Sequence, residues 1–492
     1  MRPLDFPDTD ERTTMSGFFG VASRSDCVSD LFYGTDYQSH LGTRRGGMAV
    51  SDRGSIQRII HDISSSQFRS KFQTDVLTMK GNLGIGVISD YDDQPLIIGS
   101  HLGIFAIVTI GAIKNLAELA QMAFAKKRIH FSEMSGGEMN PTELVSTLII
   151  QEATFEDGIR KAQEAIKGSC SLMLLTDKGI YAARDRFGKT PVMVGKKNGA
   201  FAIALENCAF PNLGYEAERE LGPGEIVLVT PEGVTQKQAP GKVMSICAFL
   251  WVYYGYPASS YESVNVEDCR NRCGAALAKR DDVKVDVVAG IPDSGVGHAV
   301  GYASQSGIPY RRPFVKYTPT WPRSFMPPVQ SERELVAKMK LIPIRALIQG
   351  KRLLFCEDSI VRGTQLADTI SRLYDYGALE VHMRPACPPL IFGCPFLSFS
   401  RSRSELDLAG RRAVKALEGR DDKDLARYTD PESDAYRAMV AWIAKQLHLT
   451  TLRYQLLDDL ISAIGLPPER LCTFCWSGRD QSGQFPGPSA SK

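Results

Sequence analysis

The 492-residue sequence has almost no net charge and no long apolar run. Its 58 Lys and Arg against 56 Asp and Glu leave a formal charge of +2, so composition gives no reason to expect binding to nucleic acid or to a membrane surface. No stretch reaches the length of a membrane span, and residues 1–15 are polar, without the apolar core of a secretory signal. We therefore predict a cytoplasmic protein that binds neither nucleic acid nor membrane.

Cysteine is sparse and odd in number. Eleven cysteines in 492 residues argue against a disulfide scaffold, which needs cysteines in pairs at high density. We predict reduced thiols, some of them available as metal ligands.

The chain changes character near residue 245. From Ser16 to residue 245, short apolar runs alternate with turn residues, which predicts strand-rich layers covered by a few helices. From 246 to 478, strand, loop and helix units follow one another, which predicts a parallel, doubly wound α/β domain with ligands at the carboxyl ends of its strands. Residues 1–15 are predicted to be a polar extension, and residues 479–492, rich in Gly, Ser and Pro, a mobile tail.

The strongest chemical signal is the segment LLFCEDSIVRGTQLADTI. It contains an apolar strand, two carboxylates at Glu357 and Asp358, a loop of small residues from 359 to 364, and a helix. Such a loop directs several backbone N–H groups at one point, which favours phosphate, while the carboxylates can accept hydrogen bonds from sugar hydroxyls. Spacing alone also allows an ordinary strand-to-helix turn with a solvated acid pair.

The octapeptide EDSIVRGT resembles the loop that binds phosphoribosyl diphosphate (PRPP) in type I phosphoribosyltransferases, in the form found in glutamine PRPP amidotransferases. The family more often has two aspartates, so Glu357 departs from it by one methylene. The resemblance implies Mg²⁺ as a cofactor, with Asp358 as its candidate ligand. It also implies substrate contacts from Glu357, Asp358, Ser359, Arg362, Gly363 and Thr364.

Two further segments resemble the same family. The segment PDSG is an ordinary turn by itself, but it matches the pyrophosphate loop and implies substrate contacts from Asp293, Ser294 and Gly295. Residues 314–343 resemble the flexible loop that closes over PRPP, in which cations stabilise the departing pyrophosphate. Singly, each cation is explained equally well as a solvated surface charge. The matching catalytic cations are Lys316, Arg323 and Lys340.

Four cysteines fit a family pattern. Cys472 and Cys475 form a C-x-x-C pair, which suits zinc, an iron-sulfur cluster or a redox disulfide. Iron-sulfur members of the family also have a cysteine at the start of the interdomain linker and one after Pro-Pro, which here are Cys247 and Cys394. The resemblance implies a structural 4Fe-4S cluster; a zinc site and inert buried thiols are the alternatives, and Cys387 competes with Cys394 as ligand.

The segments YAARDRFGKTPVMVG, ALENCAF and LGPGEIVLV resemble the glutaminase domain of the same family. The resemblance therefore covers nearly the whole chain. It implies an α+β, four-layer domain of the N-terminal-nucleophile (Ntn) hydrolase type over residues 16–245, followed by an α/β type I phosphoribosyltransferase domain over 246–478. In Ntn enzymes the first residue of the mature chain is the nucleophile. The family has cysteine there, and this sequence has Ser16 in what we interpret as a vestigial nucleophile position.

Other glutaminase positions also depart from the family. We predict that Gly84 replaces the arginine that binds the carboxylate of glutamine, that Ile110-Gly111 replaces the oxyanion-hole Asn-Gly, and that Pro141 replaces the acid that binds the ammonium group. Loss of one oxyanion donor typically costs about 10²–10³ in rate. We therefore predict no glutamine hydrolysis of the usual kind.

Three functions are consistent with these residues. The first is transfer of the phosphoribosyl group from PRPP to an amine, forming 5-phosphoribosylamine in the first step of de novo purine synthesis, with ammonia as the amine. The second is a non-catalytic regulator that binds PRPP or nucleotides and pairs with an active homologue. The third is a glutamine-dependent enzyme that uses Ser16. Family resemblance implies a homo-oligomer, a dimer or a tetramer.

Overall fold

The computed structural model describes residues 16–90, 92–125, 134–135, 138–317, 341–397 and 405–485. The first half of the described chain is built mainly from short strands, as the alternation of apolar runs and turns predicts. The strands up to residue 238 are β1 (Gly17–Ser23), β2 (Arg45–Asp52), β3 (Ser55–Asp62), β4 (Leu83–Ser89), β5 (Leu96–Ser100), β6 (Gly103–Ile110), β7 (Met134–Ser135), β8 (Glu138–Met139), β9 (Ser171–Thr176), β10 (Gly179–Ala183), β11 (Met193–Lys197), β12 (Ala200–Ala204), β13 (Glu216–Glu220), β14 (Ile226–Thr230) and β15 (Gly233–Gln238). The helices of this half are α1 (Val28–Asp36), α2 (Phe68–Phe72), α3 (Leu116–Ala125), α4 (Pro141–Ile149) and α5 (Phe155–Ala165).

Two antiparallel sheets pack face to face in this half. One has seven strands in the order β13-β11-β12-β1-β4-β2-β3, and the other has six in the order β15-β14-β10-β9-β6-β5. All seven residues of β1 are buried, because one face of the strand packs on the other sheet and the opposite face packs on helix α1. Helices α1 and α2 cover the first sheet, and α4 and α5 cover the second. The predicted four-layer Ntn-type fold is confirmed.

The second half contains a parallel sheet. Its strands and the short strands around it are β16 (Ile246–Cys247), β17 (Ser260–Tyr261), β18 (Val264–Asn265), β19 (Val287–Gly290), β20 (Phe314–Lys316), β21 (Leu341–Pro343), β22 (Arg352–Glu357), β23 (Glu380–Pro385), β24 (Thr451–Leu452) and β25 (Leu471–Cys472). The helices of this half are α6 (Val266–Lys279), α7 (Val296–Ser306), α8 (Arg345–Ile348), α9 (Thr364–Asp375), α10 (Ala409–Glu418), α11 (Asp434–Gln446), α12 (Leu457–Ile464) and α13 (Phe474–Ser477).

The four strands β19-β22-β23-β24 form this sheet, and helices cover both of its faces. Alternate residues of β22 show the division: Leu354 packs with residues of α6 and α7, whereas Leu353 and Phe355 pack with residues of α9, α10 and α11. Because side chains alternate across a strand, a β-strand covered on both faces is continuously apolar, as LLFC is. The predicted α/β domain is confirmed. No helix in the described part of the chain is long and apolar enough to cross a membrane.

The start of the predicted tail is ordered against the first half. Gln484 accepts a hydrogen bond from the backbone N–H of Gly168 at 3.1 Å and donates to the carbonyl oxygen of Ile166 at 3.3 Å. The ring of Phe485 lies edge-on to Phe396, with centroids 5.3 Å apart. Gln484 and Phe485 of the predicted mobile tail therefore contact other parts of the chain, residues 486–492 lie outside the described residues, and the mobility of the tail stays a prediction.

Candidate active site

Two loops leave neighbouring strands at the same edge of the parallel sheet. Strands β19 and β22 pair in parallel with Gly290 opposite Cys356, so the loop after each strand starts at the carboxyl edge of the sheet. A Cβ on Gly295 would overlap the carbonyl oxygen of Cys356, so glycine is required where the two loops approach. The predicted PRPP loop and pyrophosphate loop therefore lie side by side, as ligand binding at a strand edge requires.

The PRPP loop leads directly into helix α9. Glycine at position 363 has φ of +79°, a left-handed conformation that favours glycine, immediately before Thr364 begins the helix. Ser359 lies beside the acid pair and donates a hydrogen bond to Asp358 Oδ1 at 2.5 Å. Arg362 is directed elsewhere: its guanidinium lies 3.4 Å from a carboxylate oxygen of Asp407, and its carbonyl oxygen accepts a bond from Arg412.

Both members of the acid pair are buried, with 8% of Glu357 and 6% of Asp358 exposed. Glu357 Oε1 accepts a hydrogen bond from Ser294 Oγ at 3.1 Å and another from the backbone N–H of Asp358, also at 3.1 Å. Burial first, and the neighbouring Asp358 carboxylate second, raise the pKa of Glu357 well above its usual value. The two carboxyl groups are thus buried, hydrogen-bonded parts of the PRPP loop and not a solvated pair.

The pyrophosphate loop also carries an ion pair. The peptide bond between Pro292 and Asp293 is cis, and Lys316, the last residue of β20, donates to Asp293 Oδ2 at 2.6 Å. Both side chains are largely exposed. The structure therefore brings Lys316 to the pyrophosphate loop, while the predicted catalytic cations Arg323 and Lys340 lie outside the described residues.

A buried arginine beneath this site was not predicted from the sequence. Arg270 of α6 donates to the carbonyl oxygens of Trp251, Tyr253 and Gly255 at 2.9 to 3.0 Å. Burial lowers the pKa of Arg270, and the Asp358 carboxylate acts in the opposite direction. No sequence signal distinguishes this arginine, because its acceptors are backbone carbonyls at the junction between the two halves.

The four cysteines assigned to the cluster are all buried near that junction. Cys247 and Cys472 are paired neighbours in β16 and β25. Burial raises the pKa of the Cys247 thiol, and the nearby Cys472 and Cys394 thiols add to the rise; Cys475 is affected in the same way by Cys394, Cys247 and Cys472. All four are buried and none is in a disulfide.

Cys387 lies on the transferase side of this group. Asp358 and Cys273 act on its thiol, and Cys387 in turn acts on the Cys475 thiol, so the choice of Cys394 over Cys387 as ligand stays a prediction. Among the described residues, no group of three or more His, Cys, Asp or Glu side chains is placed so that it could hold a metal ion.

Ser16 immediately precedes β1 and faces the end of β4. Its hydroxyl donates to Ser89 Oγ at 3.3 Å, because β1 and β4 are antiparallel with Gly17 opposite Ile88. Gly84 is instead opposite Val21, which is five residues after Ser16. Five residues of extended strand cover a longer distance than a glutamine molecule spans.

The prediction that Gly84 occupies the carboxylate-binding position is therefore wrong. A Cβ at Gly84 would lie 2.6 Å from Leu31 Cδ2, inside the apolar contact between sheet and helix. Ser89 is the residue of β4 that lies beside Ser16. The pairing register of β1 and β4 would have identified Ser89. In an antiparallel pair, the residue that precedes one strand lies beside the last residue of the other.

The other two altered glutaminase positions have structural roles. Ile110, the last residue of β6, is buried, and Gly111 follows with φ of +118°. Pro141 is the first residue of α4, and the side chain of Asn140 caps that helix by accepting from the N–H of Thr142 at 2.8 Å. Neither the alkyl side chain of Ile110 nor the ring of Pro141 can form a polar contact with a substrate.

The structure also reveals a polar centre near the junction. Glu206 is buried, and one of its carboxylate oxygens lies 2.7 Å from His40 Nε2. The carboxylate accepts hydrogen bonds from the backbone N–H of Tyr256 at 3.1 Å and from the hydroxyl of Tyr261. Burial acts to raise the pKa of Glu206, but His40 and the hydrogen bonds outweigh it, so the net shift is downward. This centre connects the first half to residues 256–261.

A glutamine-amidotransferase-type domain joined to a phosphoribosyltransferase domain is the class that this fold and these loops define. The model of a glutamine amidotransferase domain matches residues 81–212. The chain is 32% identical to the amidophosphoribosyltransferase of Archaeoglobus fulgidus over 66% of this chain and 70% of that protein. It is 29% identical to the Methanocaldococcus jannaschii amidophosphoribosyltransferase over 94% of this chain and 97% of that protein.

A solved structure agrees. The glutamine PRPP amidotransferase of Bacillus subtilis, in complex with ADP and GMP, superimposes with a TM-score of 0.81 at 26% identity over 96% of this chain and 100% of that one. The chain belongs to the amidophosphoribosyltransferase family.

Proposed function

We propose that this protein transfers the 5-phosphoribosyl group from PRPP to an amine, forming 5-phosphoribosylamine in the first step of de novo purine synthesis. The observation that carries the proposal is the approach of the two loops, with a buried acid pair where they meet. Its place in purine synthesis is supported by a similar structure described as the allosteric regulatory enzyme of purine biosynthesis, 26% identical with a TM-score of 0.81 over 94% of this chain and 95% of that one.

In this proposal each part of the loops binds one part of PRPP. Backbone N–H groups between Ser359 and Thr364 bind phosphate at the start of α9, and the acid pair presents a carboxylate to the ribose hydroxyls. Gly295 lets the backbone of the other loop approach the diphosphate, to which Lys316 supplies positive charge. Arg323 and Lys340 are proposed to add to that charge when PRPP is bound.

Asp358 is the proposed protein ligand for Mg²⁺. A carboxylate oxygen is the donor that this cation prefers, and Asp358 is ordered at the site by its bond from Ser359. When bound, Mg²⁺ would offset negative charge on the diphosphate.

The amine nitrogen attacks C1 of the ribose, the bond from C1 to the pyrophosphate oxygen breaks, and the amine gives up a proton. Ammonia is already a nucleophile, so the protein has to supply orientation and charge stabilisation. We propose ammonia as the amine because Ile110, Pro141 and Ser89 replace the groups that would bind glutamine.

Glutamine-dependent activity at Ser16 is the second candidate. The match to a glutamine amidotransferase domain and the contact of Ser16 with a second hydroxyl at Ser89 favour it over the regulator hypothesis. It requires Ser16 to be the mature N-terminus, because the Ntn mechanism uses the α-amino group as the base.

The four cysteines at the junction are proposed to hold a 4Fe-4S cluster. The four thiols are buried and form no disulfides. They come from β16, β25, the start of α13 and the loop that contains Cys394. Four thiolates are a donor set suited to such a cluster. The cluster would have a structural role, holding the C-terminal segment to the start of the linker. We propose that the protein acts in the cytoplasm as a homo-oligomer.

The substitution Asp358→Asn tests the transferase proposal. It keeps the size of the side chain and removes its charge, so we expect the KM for PRPP to rise by about 10²-fold, since a hydrogen bond to a charged group contributes about 1.5–3 kcal/mol. Pyrophosphate release with PRPP, Mg²⁺ and ammonium is the assay, and Asp434→Asn, at a fully exposed aspartate of α11, is the control. Wild-type protein that binds PRPP but releases no pyrophosphate with any amine would favour the regulator.

A further inference from the structure

One carboxylate oxygen of Glu357 is engaged by hydrogen bonds from the protein. Its Oε1 atom accepts from Ser294 Oγ and from the N–H of Asp358, both at 3.1 Å. A carboxylate oxygen has two lone-pair directions, so this oxygen is fully used by the protein. The side chain is also buried, with 8% exposed.

The hydrogen bond from Ser294 joins two segments that bind opposite ends of the proposed substrate, whereas the bond from the N–H of Asp358 lies within one of them. Ser294 belongs to the pyrophosphate loop after β19, and Asp358 belongs to the PRPP loop after β22. The two strands are already paired as far as Gly290 and Cys356. Beyond that register, the backbone N–H of Ile291 donates to the carbonyl oxygen of Cys356 at 3.0 Å. The hydrogen bond from Ser294 to Glu357, here called the Ser294–Glu357 link, adds a side-chain contact between the loops.

The link depends on the length of glutamate. An aspartate on the same backbone would withdraw the carboxylate by one C–C bond, about 1.5 Å. The distance to Ser294 Oγ would then exceed that of a hydrogen bond. The methylene by which this chain departs from the two-aspartate pattern is therefore the feature that makes the contact.

The link also changes what Ser294 can do. Its single hydroxyl hydrogen is donated to Glu357, so it is not available to a diphosphate oxygen while the link is intact. Backbone N–H groups of the loop remain for that purpose.

Resting on the proposed PRPP transferase function, we infer that Glu357 is a positioning residue. It holds the pyrophosphate loop at a fixed distance from the PRPP loop and leaves Asp358 as the carboxylate that meets the ribose hydroxyls. PRPP spans both loops, so a fixed separation favours simultaneous binding of its two ends.

Four variants distinguish positioning from sugar binding: Glu357→Gln, Glu357→Asp, Ser294→Ala and the double variant S294A/E357D. Glutamine keeps an oxygen at the same place and loses the charge, whereas aspartate keeps the charge and loses the reach. The measurements are PRPP affinity by calorimetry, KM and kcat from pyrophosphate release, and the midpoint of thermal unfolding without PRPP.

We expect E357D and S294A each to weaken PRPP binding about tenfold, the effect of losing one hydrogen bond, chiefly through KM. The double variant should lose about tenfold, and not a hundredfold, because both substitutions remove the same bond. E357Q should lose less than either single variant. Without PRPP, the decreases in the midpoint of thermal unfolding should follow the same order among the variants. The decreases of the two single variants should likewise not add in the double variant.

The inference is overturned if E357Q binds PRPP more weakly than E357D, which is the order expected of a ribose ligand. It is equally overturned if the losses in S294A and E357D add. Failure of the proposed function gives a different result: the wild-type protein would not bind PRPP, while the unfolding midpoints would still report whether the Ser294–Glu357 link exists.

Discussion

At the scale of single residues, the protein contains charged side chains that are buried in its interior. Lys189 is fully buried, with its Nζ 3.1 Å from Ser245 Oγ, 3.6 Å from the centre of the Phe396 ring and 3.9 Å from a carboxylate oxygen of Asp480. The Asp480 side chain is also fully buried. The pair joins the first half of the chain to the ordered start of the C-terminal segment.

Replacing Lys189 by Met should destabilise the protein by about 3 kcal/mol, because removing one partner leaves a buried carboxylate without its counter-charge. Unfolding in urea, followed by tryptophan fluorescence, measures the change. Lys196→Met is the matched control, since that lysine is exposed and also lies over a ring, that of Phe201, and it should change stability by no more than about 0.5 kcal/mol. Equal changes in stability from the two substitutions would contradict the interpretation of Lys189 and Asp480 as a stabilising buried pair.

Glu220 gives a prediction about pH. Burial first, and the neighbouring Glu262 carboxylate in addition, raise the pKa of Glu220 to about 7. A carboxyl whose pKa is higher in the folded than in the unfolded protein favours folding when it is protonated, so its contribution is lost as the pH rises from about 4.5 to 7.

The wild-type protein should therefore lose stability relative to Glu220→Gln across that interval, by an amount on the order of 1–3 kcal/mol. Denaturant unfolding at a series of pH values measures the difference, and exposed Glu218→Gln should give a curve parallel to the wild type. A constant difference between wild type and E220Q from pH 5 to 8 would contradict the prediction.

At the scale of elements, strand patterns identified the layers but not the register within them. The apolar segment LLFC and the loop after it gave β22 and the start of α9 correctly, because both depend on local sequence. Gly84 was assigned to the wrong position, since the position opposite Ser16 is set by antiparallel pairing of β1 with β4, which brings Ser89 there. Pairing between distant segments is not encoded in either segment alone.

Side-chain contacts between segments were likewise beyond local patterns. Residues 479–485 look like a linker by composition, yet Gln484 and Phe485 dock on partners that come from other parts of the chain. The Ser294–Glu357 link joins two loops 63 residues apart in sequence. The residue types at the candidate site could be predicted, whereas their partners required the fold.

The pairing of β16 with β25 supports a prediction about the cysteines. If the four thiols hold a 4Fe-4S cluster, Cys475→Ser should lower bound iron and acid-labile sulfide in anaerobically purified protein by more than about half, since one of four ligands is lost. Cys387→Ser, which alters a thiol beside Asp358, should leave both unchanged. Absorption near 400 nm and chemical analysis of iron and sulfide measure the cluster content. Purified protein that contains zinc in place of iron would contradict the proposal of an iron-sulfur cluster.

At the scale of the whole molecule, a glutamine-amidotransferase-type domain and a phosphoribosyltransferase domain share one chain. The transferase half has its loops, buried acid pair and Lys316 in place. The glutaminase half keeps four layers and matches a glutamine amidotransferase domain over residues 81–212, and its loss of the glutamine site at Ser16, Ser89 and Pro141 is our proposal. The first half would then act as a scaffold beside the transferase site.

The most direct test measures pyrophosphate release from PRPP and Mg²⁺ with either ammonium or glutamine, on protein whose N-terminus has been sequenced. We predict release with ammonium, none with glutamine above the rate without an amine, and no effect of Ser16→Ala on the ammonium-dependent rate. Release with glutamine that is abolished by S16A would contradict the central claim and would identify Ser16 as a working nucleophile.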